Sequence, residues 1–368
     1  MVPVVDLSRL GAARAQRFAS VAADVSASGR FLLGEQTECF ERDFGAWLMA
    51  SESAIGAAPP SDANPPFVAT VASGASALQL ALAALGIGVG DEVIVPAFTA
   101  VPTAAAVCAV GATPVPVDVL ADTANLDPAL VAAATTDRTR AVIVVHLYGQ
   151  AAVLPDTHLP IIEDAAQAHG AVANHRRSAA TAYSFYPTKN LGGIGDGGAV
   201  VTFDAEIDAR ARRLRVHGMT ELYVHDEISQ NFRMSEVEAA WLRLALEDLT
   251  VGNARRRQIA HHYREQAPSL RWQRESAEHV FHLCVARSSH RDEFRAACAE
   301  LDVATAIHYP LAITEQPAYR RFTRATCTES QAWARECVTV PCFPEMTDAE
   351  IDLVGCALAD IASRPVLH

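Results

Sequence analysis

YSFYPTKNLGGIGDGG (183–198) contains the one lysine in a chain of 368 residues; the rest of the 30 Lys+Arg residues are arginine. An Ala- and Arg-rich composition explains why lysine is scarce, but not why one survives in this segment. Arginine would meet any purely electrostatic need there, since it is always charged and holds phosphate and carboxylate well. It cannot form an imine. A lysine whose pKa is lowered by burial or by its neighbours can, as enzymes that work through a Schiff base require. Lys189 is therefore the candidate for any chemistry that needs a side-chain amine. It sits between two short, apolar, strand-like runs, TAYSFYP (181–187) and GAVVTF (198–203).

Working outward from the lysine, EVIVP (92–96), ATPVPVDV (112–119), AVIVVHLYG (141–149) and LPIIEDA (159–165) have the same strand-like character. Helical patterns lie between several of them, near 75–85, 99–110 and 127–135. This alternation predicts an α/β domain with a mostly parallel sheet. After residue 204 the pattern turns helical, through EIDARARRLRVHG and SEVEAAWLRLALEDL, whose apolar residues recur at helical spacing. From about 275 a smaller α+β unit is expected, with HVFHLCVA (279–286) and ATAIHYP (304–310) as strands and helices in 291–301 and 347–362. The division expected is a large domain over 1–250, N-terminal segment included, and a small C-terminal domain over 251–368. The Pro/Ala/Ser-rich stretch 51–67 reads as an exposed loop.

Half of the residues are hydrophobic, ample for a globular interior, yet no apolar run reaches the length of a membrane span. The N-terminus lacks the apolar stretch of a signal peptide, so the expected location is cytoplasmic. Eight cysteines without a CxxC spacing fit reduced, buried thiols. A net charge of −13 argues against nucleic acid as the partner. It leaves room for an anionic small molecule, because local arginines can reverse the field inside a cleft.

Ligands of open α/β sheets gather beyond the carboxyl ends of the strands. Asp164 ends the apolar run PIIED there, followed by Gln167 and His169. A carboxylate in the same sheet as Lys189 could hold a protonated ring nitrogen. Pyridoxal phosphate needs such a partner, because its pyridinium is the electron sink. The phosphate would need backbone amides and hydroxyls at a helix N-terminus. Ser73-Gly74-Ala75-Ser76 opens the apolar helix ALQLALAALG, Gly74 allows close approach of the backbone, and Ser184 offers a hydroxyl five residues before the lysine.

SGASAL (73–78), DEVIVPAFTAVPTAAAV (91–107), VVHLYGQ (144–150), IIEDAAQAHGA (161–171), the lysine segment and NFRMSEVEAAWL (231–242), in this order, resemble the DegT/DnrJ/EryC1/StrS aminotransferases. The likeness runs from FLLGEQTECFE (31–41) to VPCFPEMTDAEI (340–351). It implies a fold-type I pyridoxal-phosphate transferase that aminates a nucleotide-linked keto-sugar. On the matched positions, Lys189 is implied as the imine-forming residue and proton shuttle. Asp164 is implied as partner of the pyridine nitrogen, with Gln167 near the ring hydroxyl and Gly74, Ala75, Ser76 and Ser184 at the phosphate. Asn231 matches an asparagine that reaches the phosphate of the neighbouring subunit, which implies a homodimer with shared sites.

Three positions depart from the family pattern. Ala100 follows Thr99 where many relatives carry an aromatic that stacks on the ring, which suggests Phe98 as its cover. Ala75 stands where threonine is frequent. AVANHRRSAATAYSF (171–185) is a shorter approach to the lysine strand. Rival readings are weaker. Gly193, Gly195 and Gly198 have the spacing of a dinucleotide fingerprint, but a strand, not a helix, is expected after them. His261, His262, His279 and His282 lack a cysteine with metal-like spacing; no metal is expected. A regulatory protein that binds the cofactor without turnover is opposed by the presence of both Lys189 and Asp164. Within the enzymes, SFYPTKNLGGIGDGG resembles the branch acting on dTDP-linked 3-keto-6-deoxyhexoses, with L-glutamate or glutamine as donor; 4-keto-sugars and cyclitol ketones are the alternatives.

Overall fold

Seven strands build the main sheet, in the order β1-β7-β6-β5-β4-β2-β3. Their ranges are β1 Phe67–Val71, β2 Glu92–Pro96, β3 Thr113–Val117, β4 Thr139–Val145, β5 Ile161–Asp164, β6 Ala180–Ser184 and β7 Gly198–Thr202. Strands β3, β2, β4, β5 and β6 pair in parallel, while β7 runs antiparallel to both β6 and β1. The sheet therefore has six strands in one direction and one reversed. The computed structural model describes residues 1–54, 64–171 and 175–364.

Side chains alternate between the two faces, as the pleat requires. Val93, Val95, Ile143, Val145 and Ile162 pack under α3 (Gly74–Ala84) and α4 (Val101–Ala109). On the opposite face, Val68, Tyr183, Ala199 and Val201 pack against α2 (Glu35–Ala54) and α7 (Glu236–Gln266). Further along that face, Ile94, Val142, Val144 and Ile161 cover the short α5 (Val131–Ala134). Helix α1 (Leu7–Ser28) lies along α7, and α6 (Ala205–Leu214) along α3. A short hairpin, β8 Met219–Glu221 and β9 Val224–His225, precedes α7. Beyond α7, β10 Arg271–Trp272, β11 Cys284–Arg287 and β12 Cys337–Val340 form a three-stranded antiparallel sheet. Its core is shared with α8 (Arg291–Glu300) and α10 (Asp348–Ala362), and α9 (Thr328–Glu336) leads into β12.

The fold is the α/β architecture expected, with local differences. Of ATAIHYP only Ala306 pairs, in an isolated bridge to Thr339; the partner of β11 is instead CVTV, at the end of a helix. HVFHLCVA is extended into a strand only from Cys284. Within the stretch 51–67, residues 51–54 close α2 and Phe67 opens β1, while 55–63 lie outside the described residues, as do 172–174 of the shortened approach. Helix α7 runs unbroken across position 250. All eight cysteines are free, five of them buried, and no described helix is long and apolar enough to cross a membrane.

Glu236, at the first position of α7, ties the two helices of one face together. Its carboxylate accepts the amides of Gly34 (2.9 Å), Gln36 (2.8 Å) and Thr37 (3.0 Å) and the Thr37 hydroxyl, supplying acceptors for orphan donors at the start of α2. Burial works against the charge at Glu236, but these donors outweigh it and hold the carboxyl below its ordinary value. Its stabilisation is thus present above the ordinary glutamate range and lost as pH falls through the depressed value. Glu236→Gln is expected to cost about 1.5–3 kcal/mol at neutral pH, the scale of hydrogen bonds to a charged group. In urea denaturation the gap between variant and parent should narrow on acidification; a gap independent of pH would contradict this role for the charge.

Candidate active site

The cavity that collects most of the residues singled out above lies beyond the carboxyl ends of β1, β4, β5 and β6. It has a volume of about 290 Å³, and Gly74, Ala75, Asp164, Gln167, Ser184 and Lys189 all line it. Three strand ends meet at one edge of it. Gly198, first in β7, pairs with Val71 on one side and Ser184 on the other. A Cβ at Gly198 would stand 2.3 Å from the carbonyl oxygen of Ser73, and one at Gly74 2.6 Å from the Cβ of Ser184. Only glycine fits at either position. The close approach sets the first turn of α3 against the end of β6.

Helix α3 presents an anion-binding end. Ser73 is its N-cap, accepting the amide of Ser76 at 3.1 Å, and the amides of Gly74 and Ala75 have no acceptor within the helix by virtue of their position. Ser184 adds a hydroxyl from the end of β6. Ser76 does not line the cavity: its hydroxyl lies 2.9 Å from that of Ser73, inside the cap. Of the residues expected from sequence around a phosphate, the cavity brings together Gly74, Ala75 and Ser184, while Ser76 stays in the helix cap.

Asp164 is 6 % exposed and faces the α4 side of the sheet. Burial pushes its carboxyl above the ordinary value against the pull of the Thr103 hydroxyl, 2.9 Å away, the Ala166 amide and the Lys189 amine. Gln167 accepts the Tyr148 amide (2.6 Å) and donates to the Tyr309 hydroxyl (3.0 Å), so its amide plane is fixed from both ends. Lys189 is half-buried on the β6–β7 connection. Desolvation lowers its ammonium to about 8, opposed by the nearby Asp164. An appreciable fraction of the amine is therefore neutral, and nucleophilic, at mildly alkaline pH.

That connection is clasped. Gly193 donates to the carbonyl of Phe185 and Phe185 to that of Gly197, each at 2.7 Å. From α7, Trp241 donates to the carbonyl of Gly192 (2.9 Å), and Glu238, raised to about 7 by burial, accepts the Gly195 amide (2.9 Å). The glycine pattern leads into β7, a strand, which rules out a dinucleotide fingerprint.

Other expected positions fall elsewhere. Phe98 is fully buried against Trp333 and Tyr309 and does not reach the cavity; Ala100, Pro102 and Tyr186 form that wall instead. Asn231 is exposed outside the cavity of its own chain, accepting from Arg233 at 2.9 Å. His169 lies beneath the site with its ring beside Tyr183 and Phe185, and burial lowers it to about 3, so it is neutral. Among the described residues no three His, Cys, Asp or Glu side chains are grouped to hold a metal. Sequence reasoning passed over Thr103, Asp196 and Tyr186, all of which line the cavity. Of these only Thr103 carried a signal, one helical turn after Thr99.

A dry carboxylate, an amine of lowered pKa and a helix N-terminus around one cavity fit a phosphorylated pyridine aldehyde. Comparison with known proteins agrees. A transaminase of Streptomyces venezuelae described as dTDP-3-amino-3,4,6-trideoxy-alpha-D-glucose transaminase is 41% identical, over 99% of this chain and 97% of its own. The crystal structure of S. venezuelae DesV in complex with a ketimine intermediate superposes with a TM-score of 0.90 at 37% identity, over 99% of both chains. That of Bacillus subtilis NtdA with bound cofactor PMP does so with a TM-score of 0.86 at 26% identity, over 98% of this chain and 85% of its own. The model of the DegT/DnrJ/EryC1/StrS aminotransferase family matches residues 13–359, and the chain belongs to that family of pyridoxal-phosphate-dependent transaminases.

Proposed function

We propose that the chain transfers an amino group from L-glutamate or glutamine to a nucleotide-linked keto-sugar, a dTDP-linked 3-keto-6-deoxyhexose. The observation that carries the chemistry is that the only lysine and a buried carboxylate, Asp164, line the same cavity. The sugar class is supported by the lysine segment and by the activity named for the S. venezuelae relative.

In this reading the first-turn amides of α3 and the Ser184 hydroxyl bind the phosphate. Asp164 would hold a proton on the ring nitrogen, and Gln167 would be among the residues that hold the ring. Bound pyridoxal phosphate would supply an electron sink for chemistry at the amino-bearing carbon. Lys189 would hold the cofactor through its amine and would move the proton at that carbon. Its lowered pKa suits both tasks, since a base near the working pH combines the needed protonation state with driving force. The keto group is aminated by the same residues acting in reverse.

We further read the site as completed by a second copy, with Asn231 directed to the partner's phosphate. Asn231 is exposed on its own chain, the neighbouring hairpin displays Leu222 (75 % exposed) and Tyr223 (84 %), and Ile228 (104 %) follows it. Apolar groups so displayed in one region suit an interface.

Borohydride reduction of the holoenzyme is expected to fix one pyridoxyl group per chain, on Lys189, by peptide mapping. The rate at which apoprotein takes up cofactor should rise with pH through about 8, as the ammonium of Lys189 loses its proton. Label elsewhere, or transamination by Lys189→Arg, would remove the assignment. Asp164→Asn should still bind cofactor but lose turnover by about 100- to 1,000-fold, the scale of deleting one preorganised electrostatic contact; near-normal kinetics would refute its role. Mixing Lys189→Ala chains with Asn231→Asp chains should yield hybrids more active than either parent, since one site of each hybrid then has both native residues. No gain after verified subunit exchange, or an active monomer, would remove the shared site.

A further inference from the structure

The acid of the cavity floor is held by a chain of hydroxyls from α4. Thr103 donates to Oδ2 of Asp164 at 2.9 Å, and the Ala166 amide donates to Oδ1 at 3.2 Å. A carboxylate has no proton to give, so the single hydroxyl proton of Thr103 is committed to Asp164. The hydroxyl oxygens of Thr103 and Thr99 lie 3.2 Å apart. With the proton of Thr103 already placed, Thr99 must be the donor of that contact. The three groups therefore form a directed relay, Thr99 to Thr103 to Asp164.

Several features make this relay more than local packing. Thr99 and Thr103 are 2 % and 0 % exposed, so neither has water as an alternative partner. Thr103 stands in the first turn of α4, where the helix dipole favours an adjacent negative charge. Donation from Thr99 polarises the hydroxyl of Thr103 and strengthens its bond to the carboxylate. The charged or titratable groups acting on Asp164 from other elements are Lys189 on the β6–β7 connection, Tyr309 beyond α8 and, from the opposite face of the sheet, His146 after β4. Lys189 is the cation among them when protonated. Burial disfavours an ionised Asp164 throughout, and Thr103 is the foremost group opposing it.

We propose that Thr103, oriented by Thr99, is a positioning residue that keeps Asp164 ionised and directed into the cavity, so that the acid can hold a proton on the cofactor's ring nitrogen. This rests on the role assigned to Asp164 under the proposed function. Losing the hydroxyl would leave a carboxyl that more readily keeps the proton itself. The ring would then carry less positive charge, both as an electron sink and as an influence on the imine formed with Lys189.

The test uses the holoenzyme with Thr103→Val, close to threonine in shape but without the donor, and Thr103→Ser, which retains it. In Thr103→Val, kcat should fall 10- to 100-fold with little change in KM for the keto-sugar. The pH at which the absorbance of the bound cofactor changes should rise by about one unit, because a less positive ring holds the imine proton more tightly. Thr103→Ser should restore both. Thr99→Val, which removes only the orienting donor, should shift both in the same direction with smaller amplitude, and serves if Thr103→Val does not fold. An unshifted absorbance titration in a folded Val variant would overturn the proposal. So would a Ser variant as impaired as Val, since packing and not the hydroxyl would then matter. Wild-type protein that takes up no cofactor on Lys189 would instead overturn the reading of the site, and this inference with it.

Discussion

The whole site depends on how closely three strand ends can be pressed together. β7 runs against its neighbours, so the chain leaving β6 must turn back over the carboxyl end of the sheet to enter it. The turn is the lysine segment. Gly198 then passes within contact of the α3 cap, a distance that admits no Cβ, and Gly74 makes the same allowance for Ser184. If the backbones could not approach, the first-turn amides of α3 and the amine of Lys189 would line different spaces. The antiparallel strand and its glycines are what make one cavity of them.

The register of β5 is equally binding. Its side chains alternate, so consecutive acids serve opposite faces. Asp164 looks toward α4 and the cavity, whereas Glu163 is buried on the other side, 2.9 Å from the Nε2 of His146. That imidazole accepts the amide of Ala152 through Nδ1, which leaves Nε2 to donate to Glu163. A slip of one residue would exchange the two carboxylates and put each in the wrong surroundings. Pairing with β4 and β6 on both sides guards against it.

What sequence could reveal followed from how local each signal is. Lys189 was legible because no other lysine competes, and Asp164 because an acid at the end of an apolar run has few structural reasons to be there. The strands beside them carried clear β patterns, and α7 a long helical period. Phe98 was misjudged because sequence proximity to Ala100 says nothing of face: the ring turns into the core toward Trp333. Ser76 looked like a ligand, but a serine three residues after an N-cap can equally be drawn into the cap. The strand partner of β11 was missed because CVTV follows a helix directly, with no turn residue to mark the change. Glu238 and Trp241 were invisible as site residues, since their task is to hold backbone atoms of a loop far away in sequence.

The position of the lone lysine has a practical side. With one half-buried side-chain amine in the chain, reagents that modify primary amines find a single side chain to react with, Lys189. Amine crosslinkers and surface-coupling chemistries have no anchor elsewhere on the fold, and a lysine-specific protease has a single bond to cut. An amine-directed probe thus reads the state of Lys189 once the label on the N-terminal amine is set aside.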